Sequence, residues 1–153
     1  MRIAPAASDA EIAATFPVMR QLRPHLAEAE YVAQVRALMA SDGYRLAALT
    51  DDDASDAAEP NAARAGAVRA VAGYRTLTML YCGRILSVDD FVTDERARSR
   101  GYGRRLLDWL KAEGRRTGCA ELQLISRVTR EAAHRFYYRE GLGIECFHFR
   151  ARL

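Results

Sequence analysis

Two glycines and a cluster of arginines lie where a predicted strand gives way to a predicted helix. The glycines are Gly101 and Gly103, and the arginines are Arg98, Arg100, Arg104 and Arg105. Glycine lets a ligand approach the backbone without obstruction by a Cβ atom. The N–H groups of a first helical turn bind anions, and guanidinium groups pair well with phosphate. This segment is therefore predicted to bind a pyrophosphate.

The glycine spacing distinguishes between phosphate-binding motifs. Leu106 stands where the dinucleotide-binding fingerprint requires its third glycine. No segment matches the Gly-x-x-x-x-Gly-Lys-Ser/Thr loop of nucleotide hydrolases. What the sequence does contain is Arg98-x-x-Gly101-x-Gly103, placed just after the apolar strand that ends in Phe91-Val92-Thr93.

A second block, Ala133-His134-Arg135-Phe136-Tyr137, precedes Gly141 by a few residues. Together the two blocks resemble the acyl-CoA signature Gln/Arg-x-x-Gly-x-Gly/Ala and the Ala-His-x-Phe-Tyr…Gly helix of the GNAT N-acetyltransferases. The strand and helix motifs are similar to those of polyamine acetyltransferases. The resemblance covers about residues 9–152. It departs from the family at Leu142-Gly143, where Gly-Phe is usual, and at the acidic insertion 51–61.

The resemblance implies that the chain binds acetyl-CoA as a co-substrate. The backbone of Phe91, Val92 and Thr93 would pair with the pantetheine arm, and an N–H there would polarise the acetyl oxygen. The remaining expected cofactor contacts are Arg98, Ser99, Arg100, Gly101, Tyr102, Gly103, Arg104 and Arg130. The alternative interpretation makes Phe91 and Val92 ordinary core residues.

Tyr137 occupies the position of the family's general acid, where a phenol protonates the departing CoA thiolate. Helical geometry places it on the face of Ala133 and Phe136, whereas Tyr138 turns away. The alternative is a tyrosine that only packs beside Phe136.

Two adjacent aspartates, Asp89 and Asp90, lie within an apolar strand. Burying a carboxylate in such a strand is unfavourable unless it faces a solvated site or a charged partner. Asp89 matches an acidic position of similar acetyltransferases and is the first candidate for the base that accepts the amine proton, directly or through water; Asp90 is the second. Strand alternation predicts Ser87, Asp89 and Phe91 on one face and Asp90 on the other. A structural salt bridge from Asp89 to Arg75 or Arg84 is the alternative.

The connection between the first two helices is where GNAT enzymes often bind the acceptor. Arg23, His25 and Tyr31 are the expected acceptor-binding residues of this region. His25, His134 and His148 are weaker candidates for the base, because histidine titrates nearest neutrality.

The predicted elements place these residues in a mixed, mostly antiparallel α/β sheet with helices on both faces. The resemblance implies that this sheet is splayed at the acyl-CoA site. Helices are predicted over 9–21, 27–41, 101–116 and from Thr129 to Gly141, with Pro17 kinking or shortening the first. Strands are predicted over 44–49, 67–79, 85–93, 122–125 and 144–152. Residues 51–61 are predicted to form a mobile loop, and residues 1–153 a single domain.

Composition limits the other function classes. The formal charge of +3 is mild, and acidic residues interleave the arginines, which disfavours a nucleic-acid module. No membrane span, export signal or metal motif is evident, so a cytoplasmic protein with reduced, partly buried Cys82, Cys119 and Cys146 is expected. A homodimer is compatible with the sequence. The competing function is a GNAT-like domain that senses acetyl-CoA, or docks a partner, without turnover.

Overall fold

The computed structural model describes residues 1–51 and 66–153 of the chain. In chain order its elements are β1 (Arg2–Pro5), α1 (Asp9–Leu22), α2 (Glu28–Asp42), β2 (Arg45–Asp51), β3 (Ala67–Met79), β4 (Gly83–Thr93), a 3-10 turn (Glu95–Ala97), α3 (Tyr102–Arg116), β5 (Glu121–Leu124) and α4 (Glu131–Arg139). The strands form one sheet in the order β1-β2-β3-β4-β5. The pairs from β1 through β4 are antiparallel.

The chain divides into two compact units, Met1–Gln123 and Leu124–Leu153. The first unit contains α1, α2, α3 and nearly the whole sheet. The second contains α4 and the C-terminal segment. A single domain over 1–153 stays a prediction.

Local sequence signals fix the ends of the first two helices. Ser8 and Glu11 form the expected capping box at the start of α1. The helix then runs through Pro17 and ends at Leu22, so Pro17 does not shorten it. Gly43 ends α2 in the left-handed conformation, with φ of 62°, which glycine adopts without a steric penalty.

Helices cover both faces of the sheet within the first unit. Val71 and Val92 are paired neighbours on β3 and β4, and they belong to the core that includes Phe16 of α1 and Val35 of α2. Tyr74 lies three residues after Val71 and so faces the other way, with its ring 6.0 Å from Trp109 of α3. The predicted α/β class, with a mostly antiparallel sheet between helices, is confirmed.

A β-bulge interrupts the pairing of β3 with β4 beside the two aspartates. Gly73 pairs with Asp90, but the next residue, Tyr74, pairs with Val88, so Asp89 is the extra residue of β4. Ser87 pairs with Arg75. Arg75 and Gly73 are two residues apart on β3, so they and their partners Ser87 and Asp90 lie on the same face. The predicted alternation is wrong here, because the bulge brings Ser87 and Asp90 to one face.

The strand predictions were wrong at both ends of the chain. β1 was not predicted, and no strand forms at 144–152, where Ile144, Phe147 and Phe149 are 65%, 79% and 90% exposed. Of the predicted loop 51–61, residues 52–61 lie outside the described part of the chain, and Asp51 belongs to β2. Ala120 N–H donates to Arg84 C=O at 2.8 Å, so the four-residue β5 begins near the start of the eleven-residue β4. The splay beyond Phe91 stays a prediction.

Candidate active site

A cavity of about 320 Å³ lies within the first unit, beside α1, α2 and the bulge of β4. Its apolar lining consists of Met19, Leu26, Tyr31, Val35, Leu38 and Tyr44. Its polar lining consists of Arg23, His25, Gln34 and Asp90. The structure therefore brings the three residues expected to bind the acceptor to the same cavity as Asp90.

Asp90 is held by two donors at the wall of this cavity. Arg23 Nε donates to Asp90 Oδ1 at 2.8 Å, and the Tyr44 hydroxyl donates to Asp90 Oδ2 at 2.9 Å. The Asp90 side chain is 14% exposed, whereas that of Arg23 is 42% exposed. These contacts fix the carboxylate in one orientation, and because each oxygen accepts more than one hydrogen bond, it can still accept from a ligand.

Asp89 sits at the bulge in a different set of contacts. Arg75 Nε lies 2.6 Å from Asp89 Oδ2, and Ser87 Oγ donates to Asp89 Oδ1 at 3.4 Å. Arg75 also lies 3.8 Å from Asp42 at the end of α2. Asp89 does not line the cavity directly, but its carbonyl oxygen accepts from Arg23 Nη2 at 3.0 Å. The salt bridge to Arg75 that the sequence allowed is thus present.

The two tyrosines of the cavity are hydrogen-bond donors rather than bases. Burial raises the pKa of Tyr44 far above its ordinary range, and the charge of Asp90 adds to that effect. Burial also raises the pKa of Tyr31, with the Thr15 hydrogen bond opposing the shift and the Asp90 charge supporting it. Both phenols therefore stay protonated near neutral pH. Tyr31 shares a 2.8 Å hydrogen bond with Thr15, which anchors α2 to α1.

Tyr44 and Gly73 are site residues that the sequence analysis did not identify. Tyr44 reaches Asp90 only because residue 73 is glycine: a Cβ there would overlap the Tyr44 hydroxyl. A glycine inside a strand often marks a bulge or a close approach. Gly73 was therefore the available signal, although it does not reveal which side chain fills the space.

The predicted phosphate-binding segment has the backbone conformation that its glycine suggests. Gly101 precedes α3 in the left-handed region, with φ of 82°, and Ser99 also has a positive φ of 64°. Arg105 N–H donates to Gly101 C=O, which is the first hydrogen bond of the helix. The N–H groups of residues 102–104 therefore lie in the first turn, where no carbonyl of the helix can accept from them. Arg98, Arg100 and Arg104 are exposed around this turn.

Side-chain contacts hold the same segment in place. The Tyr102 ring is buried, and its hydroxyl donates to Asp51 Oδ2 at 2.7 Å, so its side chain is engaged within the fold. Gln21 of α1 donates to Asp94 at 3.0 Å and accepts from Glu95 N–H at 2.9 Å. Val92 is buried, and Phe91 and Thr93 are half-buried at the end of β4.

Tyr137 lies on α4 in the second unit. It is half-buried, as are Ala133 and Phe136, and its ring is 5.5 Å from that of Phe136, whereas Tyr138 is 55% exposed. Burial raises the pKa of Tyr137, and the charge of Arg130, just before the helix, partly opposes this. A phenol with a raised pKa is protonated near neutral pH, as a proton donor must be.

Other predicted features are also located. His134 is half-buried on α4, and His148 is exposed in the C-terminal segment. Cys82 and Cys119 are half-buried free thiols, but Cys146 is exposed, contrary to expectation. Within residues 1–51 and 66–153, no three His, Cys, Asp or Glu side chains are grouped to hold a metal ion. None of the helices described there is long and apolar enough to cross a membrane.

Residues 21–143 match the sequence model of the Acetyltransferase (GNAT) family. The chain belongs to the GNAT acetyltransferase family. It is also 32% identical over 144 residues to the uncharacterized N-acetyltransferase YhdJ of Bacillus subtilis (strain 168), covering 94% of this chain and 92% of that protein. This GNAT protein is therefore an acyltransferase enzyme, as its two sequence blocks predicted.

Solved structures confirm the GNAT fold. A ribosomal-protein-alanine N-acetyltransferase from Brucella melitensis biovar Abortus 2308 matches with a TM-score of 0.77 at 14% identity over 100% of both chains. Glucosamine-6-phosphate N-acetyltransferase from Arabidopsis thaliana matches with a TM-score of 0.72 at 15% identity, over 99% of this chain and 97% of that one. Their names specify a protein amine and a sugar phosphate, so the shared fold alone does not determine the acceptor.

Proposed function

We propose that this GNAT enzyme transfers the acetyl group of acetyl-CoA to a primary amine of a small molecule. The observation that carries this proposal is the cavity of about 320 Å³, in which Asp90 is the anchored carboxylate. A cavity of this size suits a small ligand. Residues 21–143 of the family match include parts of both units, which supports our proposal that the chain acts as one domain.

Acetyl-CoA would be held by the segment from Phe91 to Arg104. The left-handed Gly101 cap has no atom within 4 Å of a Cβ position, so the backbone there is accessible to a phosphate. The exposed arginines supply compensating positive charge, and Arg130 is a further residue proposed to bind acetyl-CoA. Backbone groups of Phe91, Val92 and Thr93 are proposed to pair with the pantetheine arm and to polarise the acetyl carbonyl.

The amine must lose a proton as it attacks the thioester carbonyl. Asp90 lines the cavity and is proposed to orient the amine and accept that proton, directly or through water. Asp89, the candidate preferred from the sequence, accepts hydrogen bonds from Arg75 and Ser87. We therefore propose that Asp89 either accepts the proton through a water molecule or positions Arg75. Of the two carboxylates, the lining of the cavity favours Asp90.

The CoA thiolate must gain a proton as the tetrahedral intermediate collapses. Tyr137 is proposed as the donor, because its raised pKa keeps the phenol protonated over the working pH range. Removing the hydroxyl should therefore slow the chemical step more than it weakens cofactor binding.

Two measurements test the proposed function. Calorimetry should show acetyl-CoA binding that weakens with salt, since phosphate contacts by arginine are screened. Release of free thiol should then require an added amine, and the acetylated amine should be identified by mass spectrometry. Binding without amine-dependent thiol release across a broad panel of amines would contradict acetyl transfer to a small amine and favour the sensing function.

A further inference from the structure

We infer that the acceptor is an amine that carries its own anionic group, bound by Arg23, and not a di- or polyamine. This inference rests on the proposed function and names the substrate class of the same cavity. It follows from the charges at the cavity wall and from the free capacity of the Arg23 guanidinium.

The charge balance of the cavity disfavours a purely cationic ligand. Among the described lining residues, Asp90 is the one carboxylate, and Arg23 Nε already lies 2.8 Å from it. An ammonium group brought to Asp90 would also approach the Arg23 guanidinium, and like charges repel at that range. A ligand with a second or third ammonium group would meet no further carboxylate among these residues.

Arg23 can bind an anion without releasing Asp90. A guanidinium has five N–H donors, and the contacts to Asp90 Oδ1 and the Asp89 carbonyl engage only Nε and one Nη2 hydrogen. The side chain is 42% exposed, so its remaining donors are accessible to a ligand. A ligand whose ammonium group contacts Asp90 and whose carboxylate or phosphate contacts Arg23 places an opposite charge beside each member of the Arg23–Asp90 ion pair.

The apolar lining indicates what the rest of the ligand is like. Leu26, Leu38 and Met19 line the same space as the Tyr31 and Tyr44 rings. The volume of about 320 Å³ equals that of about ten water molecules. An amino acid with a large apolar side chain fits both the volume and this chemistry.

A matched set of acceptors tests the inference. L-phenylalanine, phenylalaninamide and phenethylamine share the same aromatic side chain. On the carbon that carries the amine they have a carboxylate, a neutral amide and no further group, respectively. O-phosphoethanolamine against ethanolamine tests phosphate as the anion, and putrescine is the dication. The measured quantity is kcat/KM from thiol release, in the wild type and in Arg23→Gln. Arg20→Gln is the control, since Arg20 is exposed in the last turn of α1 and does not line the cavity.

The inference predicts a change in the ratio of two substrates, so differences in intrinsic amine reactivity cancel. Arg23→Gln should lower the phenylalanine-to-phenethylamine ratio, or the phosphoethanolamine-to-ethanolamine ratio, by about ten- to a hundredfold, as loss of a charge-assisted hydrogen bond does. Loss of the Arg23 contact to Asp90 should slow both substrates of a pair alike and so leave that part of the ratio unaffected. Arg20→Gln should leave the ratios unchanged. Unchanged ratios in Arg23→Gln, or putrescine as the best acceptor, would overturn the inference while leaving N-acetyl transfer intact. If no amine is acetylated, both this inference and the proposed function fail.

Discussion

Gly73 and Tyr44 share one space in the sheet: the Tyr44 hydroxyl lies where a Cβ atom on residue 73 would be. That hydroxyl donates to Asp90 at 2.9 Å, and Gly73 is the residue of β3 that pairs with Asp90. The missing side chain at position 73 therefore permits the contact that orients the carboxylate of the cavity.

Gly73→Ala should displace Tyr44 and loosen Asp90. Overpacking of this kind typically costs about 1–3 kcal/mol of unfolding free energy. Acetyl transfer should fall by more than the remaining folded fraction explains, because the Tyr44–Asp90 hydrogen bond is lost. Urea denaturation and kcat/KM measure the two effects.

Gly114→Ala is the matched control for Gly73→Ala. A Cβ at Gly114 in α3 would lie 3.6 Å from Leu86, an ordinary contact, and alanine favours a helix by about 1 kcal/mol over glycine. This variant should be at least as stable as the wild type and fully active. Equal behaviour of the two variants would contradict the close approach at Gly73.

The two aspartates should differ when each is changed to asparagine. Asp90→Asn removes the carboxylate from the cavity and should lower kcat/KM for the amine by about 100-fold or more, the usual contribution of general base catalysis. Asp89→Asn breaks a partly exposed ion pair with Arg75, worth about 0–1 kcal/mol, and should affect activity less. Steady-state kinetics with a fixed saturating acetyl-CoA concentration makes the comparison. A larger loss in Asp89→Asn would assign the base to Asp89.

Much of the fold could be predicted from local sequence signals. β3 has the predicted bounds, Ala67–Met79, and the capping box and Gly43 predicted the first turn of α1 and the end of α2. The segment proposed to bind phosphate could be located in the sequence because its glycines and arginines are adjacent. Such features depend on neighbouring residues, which a sequence displays directly.

What could not be predicted depends on pairing between distant residues. The four-residue β1 has too few residues for a pattern, and its partner β2 begins about 40 residues later. The bulge at Asp89 follows from the register of β3 against β4, so strand alternation alone gave the wrong face. At the C-terminus, Ile144 and Phe147 are three residues apart and would not share a strand face, which the prediction of a strand overlooked.

Gly101→Ala should weaken acetyl-CoA binding and lower stability. The residue has a φ of 82°, where a Cβ atom costs about 1–2 kcal/mol. Any relaxation of the turn would move the first N–H groups of α3 away from the proposed phosphate. Calorimetry should therefore show a lower acetyl-CoA affinity.

Gly118→Ala separates strain from ligand binding. Gly118 has a φ of 73° with no atom within 4 Å of its Cβ position, but it lies beyond the opposite end of α3. It should lose similar stability in thermal unfolding while keeping its acetyl-CoA affinity. Equal affinity losses in both variants would remove the assignment of the phosphate site to Gly101.

Tyr44 should make the free energy of unfolding decrease at alkaline pH. An unfolded tyrosine ionises near pH 10, whereas the folded Tyr44 has a much higher pKa because of burial and Asp90. Above about pH 10 the unfolded state binds fewer protons, so the free energy of unfolding falls as pH rises, by up to about 1.4 kcal/mol per pH unit for this group. Tyr44→Phe should show a shallower decline between pH 10 and pH 11. A decline as steep as that of the wild type would contradict this origin, and Tyr138→Phe, at an exposed position, is the control.

The most direct test of acetyl transfer with Tyr137 as the acid is amine-dependent thiol release by the wild type, Tyr137→Phe and Tyr138→Phe. Both changes remove one hydroxyl from α4, but Tyr137 is half-buried and Tyr138 is 55% exposed. We expect kcat to fall by about 100- to 10,000-fold in Tyr137→Phe only, with acetyl-CoA affinity nearly unchanged, since general acid catalysis acts on the transition state. Equal turnover in all three proteins would contradict the role of Tyr137, and no amine-dependent thiol release in the wild type would contradict acetyl transfer to a small amine.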